Sequence, residues 1–246
     1  AARMFLSKAG ISVGLHIRVH KRVPLGLGLG SSASSLAAML YALNSMIGSE
    51  LRVPELLEIA GEGVVGPGEE VRTESVAASM LGGLAVILSR DTFKVASLAF
   101  PDEAWIVLIV PLTLRGKSAS PPQSFSSSHL SMMLETASEF LIGVVEKDLV
   151  LMGEAINRPT PVEEAVSTII PGYWEAKEKA LEQGALGFNV AGYGPSMYAV
   201  AHSSNLLNIM DEVTTVFAKH NVNIDVKVVK PDLEGARLED PDLLAL

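Results

Sequence analysis

Residues 24–35 read Pro24-Leu25-Gly26-Leu27-Gly28-Leu29-Gly30-Ser31-Ser32-Ala33-Ser34-Ser35. No other stretch of the chain constrains it as much. Three glycines alternate with leucines, and a block of serines then opens an apolar run, 33–47, rich in helix formers and closed by Gly48. A glycine-rich loop that feeds a helix N-terminus makes an anion site. Glycine lets the backbone approach the ligand, the first N–H groups of the helix have no intrahelical acceptor, and the helix dipole favours negative charge. Serine hydroxyls at that end can reach phosphate oxygens or a Mg²⁺ ion. The expected ligand is a polyphosphate; the bland alternative is a flexible Gly/Ser turn before a buried helix.

Two common nucleotide fingerprints do not fit. A Walker A loop requires Gly-Lys-Ser/Thr, and Gly30 is followed directly by Ser31. The dinucleotide pattern Gly-x-Gly-x-x-Gly begins at Gly26 and Gly28 but meets Ser31 at its third position. The chain has 246 residues, enough for one large or two small domains, and 48% hydrophobic residues, enough for a substantial core. No apolar run approaches the roughly 18–20 residues of a membrane span, and the N-terminus lacks a signal-peptide core. A net charge of −9 argues against a general nucleic-acid or anionic-membrane binder. The absence of cysteine excludes thiolate chemistry and is compatible with a reducing cytoplasm. A basic spot at Arg18, Lys21 and Arg22 precedes the loop and reads either as help for an anion or as solvated strand and turn residues.

Along the chain, residues 1–10 read as a helix closing at Gly10. Residues 11–20 alternate, with Val13, Leu15, Ile17 and Val19 on one side, which predicts a half-buried strand. Helices follow over 33–47, 54–65 and about 69–81, with Gly66-Pro67-Gly68 as a break. Strands are predicted at 84–89, 93–99 and 105–110, and an irregular Pro/Ser-rich loop at 111–128. A helical region is expected over 129–156, with further helices at 162–170, 173–183 and 206–219. Strands at 188–190, 197–201 and 222–229 complete the pattern, and a charged, loosely ordered tail begins at Lys230. The order after residue 103 suits an α+β, ferredoxin-like half.

The run Pro24, Gly28, Leu29, Gly30, Ser31, Ser32, Ala33 resembles the phosphate loop of the GHMP kinases, and nearly the whole chain shares the resemblance. Its homoserine kinase branch is the most similar. Ala60-Gly61-Glu62, the segment 76–83 ending in Leu-Gly-Gly, Ile170-Pro171-Gly172-Tyr173 and the glycine-rich run from Gly184 to Ser196 all look like motifs of that branch. The resemblance implies an α+β, two-domain architecture: a ribosomal-protein-S5-domain-2-like N-terminal half over 1–102, partial at its start, and a ferredoxin-like half over 103–230, with a tail over 231–246. It implies ATP and Mg²⁺ as cofactors. Residues 24–34 (Pro24, Leu25, Gly26, Leu27, Gly28, Leu29, Gly30, Ser31, Ser32, Ala33 and Ser34) would wrap the ATP phosphates. Ser32 and Glu62 would hold Mg²⁺, and Gly192, Gly194 and Ser196 would sit beside the loop. On their own residues, Glu62 reads first as an exposed helix carboxylate, and Gly192–Ser196 reads equally as a hairpin turn.

Departures from the branch bear on the substrate. Where it carries His-Ala-Asp-Asn, this chain has Arg72-Thr73-Glu74-Ser75, and where it carries an arginine upstream of Ile-Pro-Gly, this chain has Val166. A zwitterionic amino acid needs a cation for its carboxylate and an anion for its ammonium. Arg72, Glu74 and Ser75 could supply these in new positions, Glu74 could also polarise the hydroxyl, and Arg115 or Lys117 could substitute for a missing arginine. Arg72 and Glu74 also read as an ordinary surface pair. The implied function is ATP-dependent phosphorylation of a small alcohol, with L-homoserine to O-phospho-L-homoserine as the first expectation. Another alcohol (an isoprenoid precursor or a sugar) and a non-catalytic nucleotide binder are the alternatives. A small-molecule partner in the cytoplasm, no nucleic acid and no membrane are expected; a homodimer is compatible with this. The strand-rich segment with which the family begins, ahead of its counterpart of residues 1–10, is not in this sequence, which suggests a truncated fragment or gene model.

Overall fold

The structure is a computed structural model that describes residues 1–48, 51–62, 72–117, 119, 120, 122 and 124–239. It divides into two units. The first holds residues 1–23, 30–99 and 232–246, and the second holds residues 24–29 and 100–231.

In the first unit, α1 (Ala2–Lys8), α2 (Ser31–Met46), α3 (Val53–Glu62) and α4 (Thr73–Leu81) pack around Phe5, Ala37, Leu40, Leu57, Ile59, Val76 and Ala77. On α2 the buried Ala33, Ala37, Leu40 and Leu43 recur every three or four positions, so the helix turns one apolar stripe inward. The hairpin β1 (Leu84–Ser89) and β2 (Lys94–Leu98) pairs antiparallel, Leu84 opposite Leu98 and Ile87 opposite Val95. The helix over 54–65 is observed to Glu62. The predicted end of that helix, the Gly66-Pro67-Gly68 break and the first residues of the next helix lie outside the described residues. Arg72 is already extended, so α4 begins at Thr73.

Two expectations fail here. Residues 11–20 form no strand, and Val13, Leu15, Ile17 and Val19 are exposed. Their alternation supplies a pleat, but a strand exists only through a ladder, and no described residue pairs with this segment. Of the predicted tail, residues 231–239 are described, and they are not loose. The Gly83 N–H donates to the Asp232 carbonyl at 2.7 Å, the Ala236 N–H to that of Met80 at 3.1 Å, and Arg237 pairs with Asp232 at 2.9 Å.

The second unit contains β3 (Trp105–Pro111), α5 (Ser127–Glu146), α6 (Leu149–Asn157), α7 (Pro161–Ser167), α8 (Tyr173–Glu182), β4 (Ala185–Val190), β5 (Met197–Ala201), α9 (Leu206–Lys219) and β6 (Ile224–Val229). Its sheet runs β4-β5-β3-β6 with every neighbour antiparallel. Two strand–helix–strand halves interleaved in that order are the ferredoxin-like arrangement. The predicted single helical region over 129–156 is two helices. Lys147 turns left-handed (φ 58°), and the Asp148 carboxylate accepts from the N–H groups of Val150 and Leu151, both at 3.0 Å, starting α6 afresh.

The core of this unit carries a charged cluster. Glu163 is completely buried, and its Oε1 accepts from the Tyr173 hydroxyl and from Lys177 Nζ, each at 2.5 Å. Lys177 Nζ also donates to the Asn157 carbonyl at 3.3 Å. The Asn157 side chain bonds the Leu186 carbonyl (2.8 Å) and the Phe188 N–H (2.9 Å), so the ends of α6, α7 and α8 are tied to β4. Burial, then the bond to Glu163 and its charge, raise the pKa of the Tyr173 hydroxyl well above the ordinary tyrosine range.

Candidate active site

The glycine loop runs from the second unit into the first, and each part is held within its own unit. In the second, the Gly116 N–H donates to the Gly26 carbonyl at 2.7 Å and the Ser196 N–H to the Leu27 carbonyl at 3.2 Å. Leu27 is fully buried, while Gly26 and Gly28 are left-handed, with φ of 69° and 79°. The Leu–Gly alternation is thereby explained: glycine takes the left-handed turns that leucine cannot, and one leucine anchors the loop. Gly28 packs against the turn 191–194; a Cβ there would lie 2.8 Å from the Gly194 carbonyl carbon and 2.9 Å from the Ala191 oxygen. The structure places Gly194 and Ser196 beside the loop, with Gly192 in the same turn. Arg115 also lies there: a Cβ on Gly26 would meet its Cγ at 3.6 Å.

In the first unit, Gly30 caps α2 in the left-handed conformation (φ 70°) with no side-chain cap and no acidic residue in the first turn. The first intrahelical bond is from the Ser34 N–H to the Gly30 carbonyl, 2.9 Å. The N–H groups of Ser31, Ser32 and Ala33 thus have no intrahelical acceptor, and an anion would satisfy them. The serines divide. The Ser31 hydroxyl donates to the Val23 carbonyl (3.0 Å), and those of Ser34 and Ser35 donate to the Ser31 carbonyl (3.1 and 2.9 Å). The exposed Ser32 hydroxyl bonds none of the described residues. Of the loop serines it is the one available to a metal ion. Lys21 Nζ lies 3.3 Å from the Ser31 carbonyl and 3.4 Å from its Oγ, placing a cation at the start of α2. Arg18 and Arg22 are exposed on the same segment.

Ser75 also borders the loop; a Cβ on Gly30 would meet its Cβ at 3.9 Å. Glu74 is half-exposed and faces Arg90 across 3.8 Å. Glu62 is the exposed last residue of α3, and Arg72 directly precedes α4. Among the described residues no three His, Asp or Glu side chains converge as a metal cluster, and no helix is long and apolar enough to cross a membrane.

Sequence reasoning missed the orphan in this region. Ser196 is completely buried, and its hydroxyl has no hydrogen-bond partner among the described residues. Ser196→Ala removes an unsatisfied polar group while keeping the backbone bond to Leu27. It is expected to stabilise the protein by about 1 kcal/mol, read from urea unfolding.

Comparison with known proteins gives the family. Residues 1–83 match the family profile "GHMP kinases N terminal domain", and residues 140–219 match "GHMP kinases C terminal". The chain belongs to the GHMP kinase family. Within it, the sequence is 34% identical to the homoserine kinase of Aeropyrum pernix over 210 residues, 83% of this chain and 67% of that one. It is 30% identical to the homoserine kinase of Chloroherpeton thalassium over 213 residues, 82% and 65% of the two chains. The crystal structure of homoserine kinase from Cytophaga hutchinsonii superposes with a TM-score of 0.83 at 29% identity, covering 95% of this chain and 75% of the other. The chain spans about two thirds of the length of these two sequence relatives.

Proposed function

We propose that this protein is an ATP- and Mg²⁺-dependent kinase that phosphorylates the hydroxyl of a small metabolite, L-homoserine first among them. The observation that carries the reading is the uncapped start of α2: three free N–H groups, a cation at Lys21 and no acidic residue in the first turn. That is a binding surface for an anion, and the relatives at 30–34% identity are homoserine kinases. MgATP, when bound, would supply the transferable phosphoryl group and a divalent charge to offset its oxygens. The residues fit it. Ser31, Ser32 and Ala33 would donate backbone N–H bonds to phosphate oxygens, and Lys21 would add a positive charge. The free Ser32 hydroxyl and the Glu62 carboxylate are hard oxygen donors of the kind Mg²⁺ takes. Arg72, Glu74 and Ser75 would orient the alcohol, with Glu74 accepting a hydrogen bond from its hydroxyl. Positioning and charge neutralisation of this sort provide most of what phosphoryl transfer needs.

The test is Mg²⁺-dependent ADP release by the full-length gene product, with and without L-homoserine. Stimulation by homoserine is expected. Ser32→Ala and Glu62→Ala should each lower the rate by about 100-fold or more at an unchanged thermal midpoint, because both side chains are exposed. ATP binding without stimulation by homoserine would overturn the substrate assignment. It would favour a second reading, kinase action on another alcohol. That reading draws on Val166, a fully buried apolar residue where the homoserine kinase branch carries an arginine. Bound ATP with no ADP release on any alcohol would leave a nucleotide-binding protein without turnover.

A further inference from the structure

We infer that Glu163 is a positioning residue for the glycine loop: the buried Glu163–Lys177–Tyr173 cluster fixes α7, and α7 supports Gly28 through Val166 and Gly194. The inference rests on the reading of that loop as the phosphate site.

A carboxylate with no solvent exposure is an expensive way to hold a seven-residue helix. An apolar side chain of similar size would fill the same volume without desolvating a charge. Glu163 is also only partly compensated. Its Oε1 takes both the Tyr173 hydroxyl and the Lys177 ammonium, while Oε2 is buried with no partner among the described residues. What the cluster supplies over an apolar contact is direction: two short bonds from α8 meet at one oxygen and define where the start of α7 sits.

That placement is transmitted by packing. Val166 follows Glu163 by three positions, on the same side of α7, and is fully buried. A Cβ on Gly194 would lie 2.5 Å from Val166 Cγ1, so the valine occupies the space against that glycine's Cα. The Gly194 carbonyl in turn occupies the space where a Cβ of Gly28 would stand. The turn is braced by the Gly194 N–H to the Ala191 carbonyl (3.0 Å), and it is joined to the loop by the Ser196 N–H to the Leu27 carbonyl (3.2 Å). All of these residues belong to the second unit. No side chain of the cluster is a ligand; a shift of α7 would reach the nucleotide only through the loop backbone.

The test uses the full-length protein with MgADP as the probe, followed by calorimetry, alongside the KM values for ATP and for the alcohol. Glu163→Gln keeps the volume and an acceptor for Tyr173 but leaves Lys177 without its anion. Well below its thermal midpoint it should bind MgADP about tenfold or more weakly and raise the KM for ATP by a similar factor, with the KM for the alcohol at its wild-type value. Val166→Ala leaves the charged cluster intact and removes only the contact on Gly194. It should weaken MgADP in the same direction, and it decides the matter alone if Glu163→Gln does not fold. A lowered midpoint with wild-type MgADP affinity in either folded variant would overturn the inference and leave the cluster a purely structural role. Failure of the wild-type protein to bind MgADP would overturn the phosphate-site reading instead.

Discussion

Gly28→Ala is expected to abolish measurable nucleotide binding and to lower unfolding free energy by about 2–4 kcal/mol. Two effects add. At φ 79° an L-residue is strained by about 1–2 kcal/mol. The new methyl would also stand 2.8 Å from the Gly194 carbonyl carbon and 2.9 Å from the Ala191 oxygen. Those are backbone atoms and cannot rotate aside. The Ala191 carbonyl already accepts the Gly194 N–H at 3.0 Å, so the turn can yield only by losing that bond. The remaining relief is to push the loop off the turn, which displaces the backbone that would cradle phosphate; kcat/KM for ATP should fall by about 100-fold or more. Gly10→Ala is the matched control. Gly10 has φ 70° with nothing within 4 Å of its missing Cβ, so only the conformational strain remains, and the KM for ATP should not move. Denaturant unfolding and initial-rate kinetics on the two variants separate the terms. Equal behaviour of both variants would mean that the contact with the turn has no weight.

The glycine loop, the ferredoxin-like half and the family were legible because their signals are local. α9 is found at its predicted bounds, Leu206–Lys219, since its apolar period is regular. β5 is likewise found at Met197–Ala201. The misreadings arise where partners decide. Val13 to Val19 alternate as well as any strand, yet alternation does not supply a neighbour. The break between α5 and α6 is easily missed because only Glu146-Lys147-Asp148 interrupts two apolar runs, and three charged residues fit a helix surface as well as a turn; Asp148 as an N-cap was the available signal. Charge made the segment after Lys230 look solvated, whereas backbone bonds to Met80 and Gly83 hold it. Within the site, the glycine–serine pattern by itself treats Ser31, Ser32 and Ser34 alike, and only the family resemblance singles out Ser32 for Mg²⁺. What the folded chain adds is that the Ser31 and Ser34 hydroxyls are spent on carbonyls. Glu163 is beyond sequence reasoning altogether, because an acidic residue in a helix's first turn ordinarily faces solvent, and its partners lie ten and fourteen residues on.

That burial sets the second large effect. Lys177→Met should lower the unfolding free energy by about 3–5 kcal/mol, the range for removing one partner of a buried ion pair. The methionine replaces most of the apolar stem, so lost packing contributes little. The loss comes from Glu163, which keeps only the Tyr173 hydroxyl at one oxygen and has nothing at the other. Glu163→Gln in the same background removes the stranded charge. The double variant should therefore be more stable than Lys177→Met alone by about 1–3 kcal/mol, a favourable coupling that urea unfolding of the wild type, both single variants and the double variant measures. Simple additivity would place the ammonium and carboxylate in contact with water, contrary to the 7% and 0% exposure of the two residues. Restored stability need not restore MgADP affinity. In the double variant the Lys177 bond that helps to aim α7 is still missing, with only the Tyr173 hydroxyl left to donate to residue 163, so stability should recover while nucleotide binding stays weak. Recovery of both together would mean that any well-packed core positions the loop, charged or not.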